Sequence, residues 1–203
     1  MKADVEAGAD PVTPPGGRWR LGILTLVAVA AVMTGMLLFG NGSDDDPTGP
    51  TLPSGLEPPA GTPRSGQAAP DFSITTFDGE PFSLTSHLAG DGRAVLLNLW
   101  ASWCPPCRAE MPVFDKVAAD RAADVLVIGV AVDDALAPAR AFAEQIGVRY
   151  PLAFDADGTV AARYPAPGLP TTFMISAAGE LVSVSYGELD EDEMNALIDE
   201  AGG

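Results

Sequence analysis

Two cysteines, Cys104 and Cys107, are the only thiols in this 203-residue chain, and they stand in the run Trp103-Cys104-Pro105-Pro106-Cys107. Two thiols three residues apart are suited to exchanging a disulfide. The apolar run Ala94 to Trp100 before them reads as a strand and the segment after them as a helix, which puts Cys104 at a helix N-terminus. There, unpaired backbone N–H groups and the positive end of the helix dipole favour a thiolate over a thiol. Cys107, one turn on, is placed to attack a mixed disulfide formed by Cys104 and release the partner. A zinc site is excluded by ligand count, because zinc normally takes four ligands and the chain offers no third cysteine and one histidine, His87. What remains of the metal reading is a soft two-thiolate Cu(I) site. A purely structural disulfide is disfavoured as well, since so short a loop removes little entropy from the unfolded chain.

Few other side chains read as chemistry. Glu110 lies three residues beyond Cys107, about one turn along the same helix, and is the nearest carboxylate in sequence. Partly buried beside thiols, it would have a raised pKa and could take the proton that Cys107 must lose before attacking. Trp103 offers a flat surface beside the thiolate and Trp100 reads as core. His87 has no partner cysteine nearby and reads as structural. Asp133 and Asp134 read as a helix cap. Asp155-Ala156-Asp157-Gly158 reads as a turn, because Pro167 stands where a calcium loop needs its twelfth-position glutamate.

The elements that must hold these residues follow from periodicity and punctuation. Phe72–Phe77 and Glu80–Leu84, joined over Asp78-Gly79, predict a β-hairpin. Ala94–Trp100 and Val125–Val132 are nearly continuous apolar runs, the mark of strands covered on both faces. Helices are predicted over 105–120, where Pro112 should kink or locally break the helix, and over 135–146. A short strand at 152–154, a short helix at 159–164, strands at 171–175 and 181–186, and a helix at 190–201 with Asp190 as N-cap complete the domain. The strand–helix–strand–helix order predicts an α/β class with a central mixed sheet flanked by helices on both faces.

Four segments divide the chain. Leu21–Phe39 is uncharged over nineteen residues, long enough to cross a hydrocarbon core of roughly 30 Å. Arg18 and Arg20 precede it and Asp44, Asp45 and Asp46 follow it, so the positive-inside rule makes residues 1–20 cytoplasmic and puts everything beyond the segment outside. The length of the apolar core and the lack of a small-residue cleavage site favour an uncleaved single-span signal-anchor in the cell membrane over residues 21–39. Residues 40–69, rich in Gly, Pro, Ser, Thr and Asp, read as a flexible tether of roughly 30 Å reach. Residues 70–203 have the size of one domain. The net charge of −17 belongs wholly to the part after residue 39, with 25 acidic and 8 basic side chains. Nucleic acid is thereby excluded as a partner.

Read together, Ala68-Ala69-Pro70-Asp71-Phe72, Leu97-Asn98-Leu99-Trp100-Ala101-Ser102-Trp103-Cys104-Pro105-Pro106-Cys107, Glu110-Met111-Pro112 and Gly168-Leu169-Pro170-Thr171-Thr172-Phe173 resemble the thioredoxin superfamily. Within it they resemble the membrane-tethered TlpA/ResA-like thiol–disulfide oxidoreductases. The resemblance implies a thioredoxin fold over 70–203 with an N-terminal hairpin and an inserted strand–helix element at about 149–164. It also implies that Pro170 is cis and lies against the active-site disulfide, with the backbone of Leu169 facing the cysteines and open to an extended client strand. Trp103, Pro105, Pro106 and Leu169 would then touch the client. Cytosolic thioredoxins carry a buried Asp six residues before the first cysteine. Here that residue is Asn98, which cannot take a proton, and Glu110 matches the acidic position of the ResA-like group. The implied activity is extracytoplasmic reduction of client disulfides, often apocytochrome c cysteines before haem attachment, with a membrane thiol donor restoring the protein and no cofactor. Two rivals remain: a disulfide-forming oxidant or isomerase, and a tethered Cu(I) carrier or client-binding module. A peroxidase is disfavoured because Leu97 and Ala101 stand where the Pro-x-x-x-Thr-x-x-Cys pattern needs Pro and Thr.

Overall fold

The computed structural model describes residues 60–202. The expected cytoplasmic segment, the anchor at 21–39 and the tether as far as residue 59 lie outside them. Among the described residues no helix is long and apolar enough to cross a membrane.

The chain begins with the hairpin β1 (Ser73–Thr75) and β2 (Pro81–Ser83), antiparallel with Ile74 opposite Phe82. Gly79 takes the left-handed φ of +89° that the turn requires. A helix that periodicity did not signal, α1 (Leu84–Gly90), follows at once, with Ser83 as N-cap accepting from the Ser86 N–H. Its brevity hid it, since seven residues with one buried apolar side chain, Leu84, leave no helical period to detect. The central elements are β3 (Ala94–Trp100), α2 (Pro105–Asp120), β4 (Val125–Ala131), α3 (Leu136–Ile146) and β5 (Leu152–Phe154). After them come α4 (Thr159–Arg163), β6 (Thr171–Ile175), β7 (Leu181–Tyr186) and α5 (Glu191–Gly202).

Five strands form one sheet in the order β5-β4-β3-β6-β7, parallel across the first three and antiparallel across β3-β6-β7. All seven residues of β3 are buried, as expected for a central strand covered on both faces. Side chains of a strand alternate between faces, and the two cores follow that alternation. Val95, Leu97 and Leu99 pack with Phe72, Leu84, Val160 and Tyr164 beneath the hairpin, α1 and α4. Leu96 and Trp100 pack with Met111 and Phe114 of α2, Phe142 of α3 and Met194 and Ile198 of α5. Asn98 lies between Leu96 and Trp100 in this alternation, so its polar side chain enters the apolar layer under α2. Gly129 in the middle of β4 is there for space: a Cβ would lie 2.6 Å from Leu152 Cδ2 and 3.1 Å from Trp100 Nε1.

Four sequence expectations need adjustment. Helix α2 runs from Pro105 to Asp120 without a break at Pro112. Met111, Phe114 and Val117, all buried on one side, anchor the helix on both sides of the proline, so one missing backbone bond does not end it. The folded backbone starts before Pro70: the Gly66 N–H donates to the Leu181 carbonyl, Leu181 N–H to Gln67 O, and Ala69 N–H to Gly179 O. Residues 66–69, grouped with the tether by composition, therefore pair with the β6–β7 end of the sheet. Asp133 and Asp134 do not form the side-chain cap of α3, whose N-cap is Ala135 with no side-chain bond. Finally, α5 starts at Glu191, one residue after the predicted start, and Asp190 does cap it: its carboxylate accepts from the Glu193 N–H while Glu193 accepts from Asp190 N–H. The Asp155–Gly158 segment is a turn, its carboxylates occupied by the N–H groups of Thr159, Val160 and Ala161.

Candidate active site

Strand β3 ends in a tight turn. The Cys104 N–H donates back to the Ala101 carbonyl at 3.2 Å, which makes Ser102 and Trp103 the two central residues of a β-turn. Cys104 leaves this turn in extended conformation as the N-cap of α2, and its sulfur accepts from the Cys107 N–H at 3.2 Å. The two sulfurs are joined in a disulfide, 2.01 Å long, with the Cα atoms 5.3 Å apart. Pro105 and Pro106 fill the first two helical positions. Neither has a backbone N–H, so Cys107 supplies the donor nearest the sulfur. Cys107 is wholly buried and Cys104 retains slight exposure, 0% against 3%. An incoming sulfur therefore meets Cys104 first.

Glu110 is the sole fully buried carboxylate among the described residues. It lies one turn beyond Cys107 on the buried side of α2. Asn98 Nδ2 donates to its Oε1 at 2.8 Å, and the Leu189 N–H approaches its Oε2 at 3.4 Å. Burial pushes its pKa up to about 8; the bonds from Asn98 and Leu189 pull it down, and the charge of Glu188 adds to the rise. The carboxyl group is thus tuned to the range in which thiols titrate. Asn98 also donates to Thr172 Oγ1 at 3.2 Å, across the β3–β6 pairing, while its own Oδ1 has no partner. Asn98 was legible only as the polar interruption of the apolar run AVLLNLW. Its work as the donor to Glu110 needed the fold.

The Leu169–Pro170 peptide bond is cis. Leu99 pairs with Thr171, so the antiparallel register puts Pro170 at the end of β3 from which the Cys104 turn departs. Leu169 is partly buried against the core layer that contains both cysteines. Together with Trp103, Asp133, Tyr164 and Pro167 it lines a cleft of about 380 Å³. Trp103 is 60% exposed, and its indole N–H donates to the Asp133 carbonyl at 3.0 Å. With Leu136 at 48% it is one of two large apolar side chains left exposed among the described residues, and Leu136 opens the helix that follows Asp133 and Asp134. Trp100 is fully buried and belongs to the core. His87 shares a hydrogen bond with the Arg93 carbonyl, away from the cysteines. The residues singled out in sequence thus fall in one place: Cys104, Cys107 and Glu110 along α2, Trp103 in the turn before it, and Leu169 and Pro170 in the loop entering β6.

Comparison with known proteins agrees with this geometry. A family model described as AhpC/TSA matches residues 65–184. The thioredoxin-like protein YneN of Bacillus subtilis is 36% identical over 139 residues, spanning 67% of this chain and 79% of that protein. The thiol-disulfide oxidoreductase ResA of Oceanobacillus iheyensis is 31% identical over 139 residues, spanning 68% of this chain and 72% of that one. Among solved structures, a thiol:disulfide interchange protein of the thioredoxin family from Chlorobium tepidum superposes with a TM-score of 0.61 at 30% identity, covering 73% of this chain and 99% of that one.

Proposed function

Because the chain belongs to the AhpC/TSA family and is a thioredoxin-like protein-disulfide oxidoreductase, we propose that it reduces disulfides of client proteins outside the membrane, anchored there by residues 21–39. The observation that carries the mechanism is the placing of the two sulfurs, Cys104 at the edge and Cys107 sealed beside Glu110. The Cys104 thiolate attacks one client sulfur, and the other client sulfur leaves as a thiolate. Cys107 then gives its proton to the Glu110 carboxylate and attacks Cys104 Sγ. The second client sulfur departs with its electron pair, and the protein keeps the Cys104–Cys107 disulfide. The client has gained two electrons, and a membrane donor of thiol type returns them to the protein. The client lies along the cleft between Trp103 and Leu169 with its backbone beside Leu169, touching Pro105 and Pro106, and Pro170 closes the floor. Likeness to ResA supports cysteines of apocytochrome c as the client class. The apolar span and the acidic flank after it support the anchor and the outward orientation.

Direction follows from donors. A thiolate at an N-cap is stabilised by the N–H groups of the second and third helical positions, and Pro106 removes one of them. The reduced form is thereby held less tightly, which lowers the potential. The test is the reduction potential of the Cys104/Cys107 pair in the full chain: a reductant sits near about −270 mV and an oxidant near about −120 mV. Pro106→Ala, which restores the N–H, is expected to raise the potential by about 30 mV and to lower the pKa of Cys104 by about one unit, the worth of one hydrogen bond to a charged sulfur. An unchanged potential in that variant removes the donor argument, and a wild-type value near −120 mV reverses the direction.

A further inference from the structure

The corner between β4 and α3 grips the turn that presents Cys104. Asp134 Oδ2 accepts from the Ser102 backbone N–H at 2.5 Å, and its Oδ1 accepts from the Ser102 hydroxyl at 3.0 Å and from the Ala135 N–H at 2.7 Å. Its neighbour Asp133 has the left-handed φ of +50°, the one positive φ among described non-glycine residues, and its carbonyl receives the Trp103 indole N–H. Asp is among the few side chains that tolerate this conformation readily. Both central residues of the turn, Ser102 and Trp103, are therefore held from outside by two consecutive aspartates. Nothing in α2 itself does this, because its first turn begins only at Pro105.

We propose that Asp134 is a positioning residue for disulfide exchange: by binding both donors of Ser102 it fixes the turn that aims Cys104 Sγ at an incoming sulfur, with the Asp133 carbonyl holding Trp103 as the second point of the same grip. This rests on Cys104 being the attacking thiol. Attack on a disulfide requires near-collinear approach of three sulfurs, so the aim of the nucleophile enters the rate directly. A carboxylate accepting a backbone N–H and a hydroxyl at once is a stiff holder, since charge-assisted bonds are the strong ones and two of them remove rotation.

The experiment uses the reduced full chain in four forms: wild type, Asp134→Ala, Asp134→Asn and Ser102→Ala, with the Asp134→Ala/Ser102→Ala double variant closing the cycle. It reads the rate of attack on a small aromatic disulfide, the Trp103 Nε1–H resonance and the unfolding midpoint. Asp134→Ala is expected to slow the attack about tenfold and to move the indole resonance. Asp134→Asn, whose amide oxygen still accepts from Ser102, recovers most of the rate. Adding Ser102→Ala to Asp134→Ala costs little more, because both remove the same grip. A folded Asp134→Ala protein that attacks at the wild-type rate with an unmoved indole signal overturns the proposal. Should that variant not fold, Ser102→Ala decides, and full wild-type rate there overturns it as well. If the wild-type protein itself fails to attack the disulfide, it is the exchange reading that falls; if the wild type attacks and the variants match it, only the positioning role does.

Discussion

In the Cys107→Ser protein a mixed disulfide between Cys104 and the client accumulates, and release of the second client thiol stops; in Cys104→Ser neither attack nor release occurs. The asymmetry follows from burial. Cys107 is fully enclosed, so with Cys104 gone no client sulfur reaches it, whereas with Cys107 gone Cys104 still stands at the helix N-terminus facing the cleft. Serine keeps the size of the residue at both sites but is no nucleophile toward sulfur at neutral pH, so turnover in each variant falls to the uncatalysed rate. Intact-mass measurement after mixing reduced protein with a disulfide-bonded client reads both outcomes. An adduct that forms on Cys107 in the Cys104→Ser protein, or turnover at the wild-type rate in Cys107→Ser, would falsify the assignment of the two roles.

The second large effect belongs to Glu110. With a pKa of about 8 the group is ionised in about one molecule in ten at pH 7 and in most molecules at pH 9. Proton acceptance from Cys107 therefore strengthens through that range. The release step in wild type is expected to rise with pH and level off above about 8.5. In Glu110→Gln the step is about a hundredfold slower at pH 8, the usual worth of a positioned base, and the inflection near pH 8 is lost. Rapid-quench separation of mixed disulfide from products between pH 5 and 9 checks this, and an unchanged rate across that span ends the role of Glu110.

Stability carries the same titration with a definite sign. The folded pKa is raised from the ordinary 4.5 to about 8. Below pH 4.5 both folded and unfolded chains hold the proton, and the contribution of the neutral group is complete. Between 4.5 and 8 the unfolded chain releases the proton while the folded chain keeps it, so stability falls as pH rises, and it levels off above 8. The whole fall is roughly 5 kcal/mol at most from this one group. Glu110→Gln removes that slope, so denaturant midpoints of the two proteins are expected to diverge toward alkaline pH, with the variant the more stable there. Parallel curves from pH 5 to 9 would show that Glu110 is not sealed from water.

Much of this was written in residue types and spacing, because the determining physics is local. An unbroken apolar strand, a Cys-Pro-Pro-Cys step into a helix, an Asp-Gly turn and Asp190 before three acidic residues each act within a few positions along the chain. They located β3, α2, the hairpin and the thiol pair within one or two residues. The resemblance carried by Gly168-Leu169-Pro170-Thr171-Thr172-Phe173 added the cis bond that the fold contains.

What residue order by itself determined was the reactive pair, its strand-to-helix setting and a carboxylate one turn away. Tertiary structure alone decided what those groups face. The register of β3 against β6 brings Thr172 to Asn98, and the packing of α2 on the sheet sets Asn98 against Glu110 and buries both. The β4–α3 corner, some thirty residues on, turns Asp133 and Asp134 back onto Ser102 and Trp103, where sequence offered only a helix cap. Solvent exclusion and partners distant in the chain set a carboxyl pKa and the aim of a thiol, and neither is encoded in the spacing of neighbours. The two cysteines are legible as a line of text; the proton acceptor's tuning and the grip on the turn exist only once the sheet has closed beneath them.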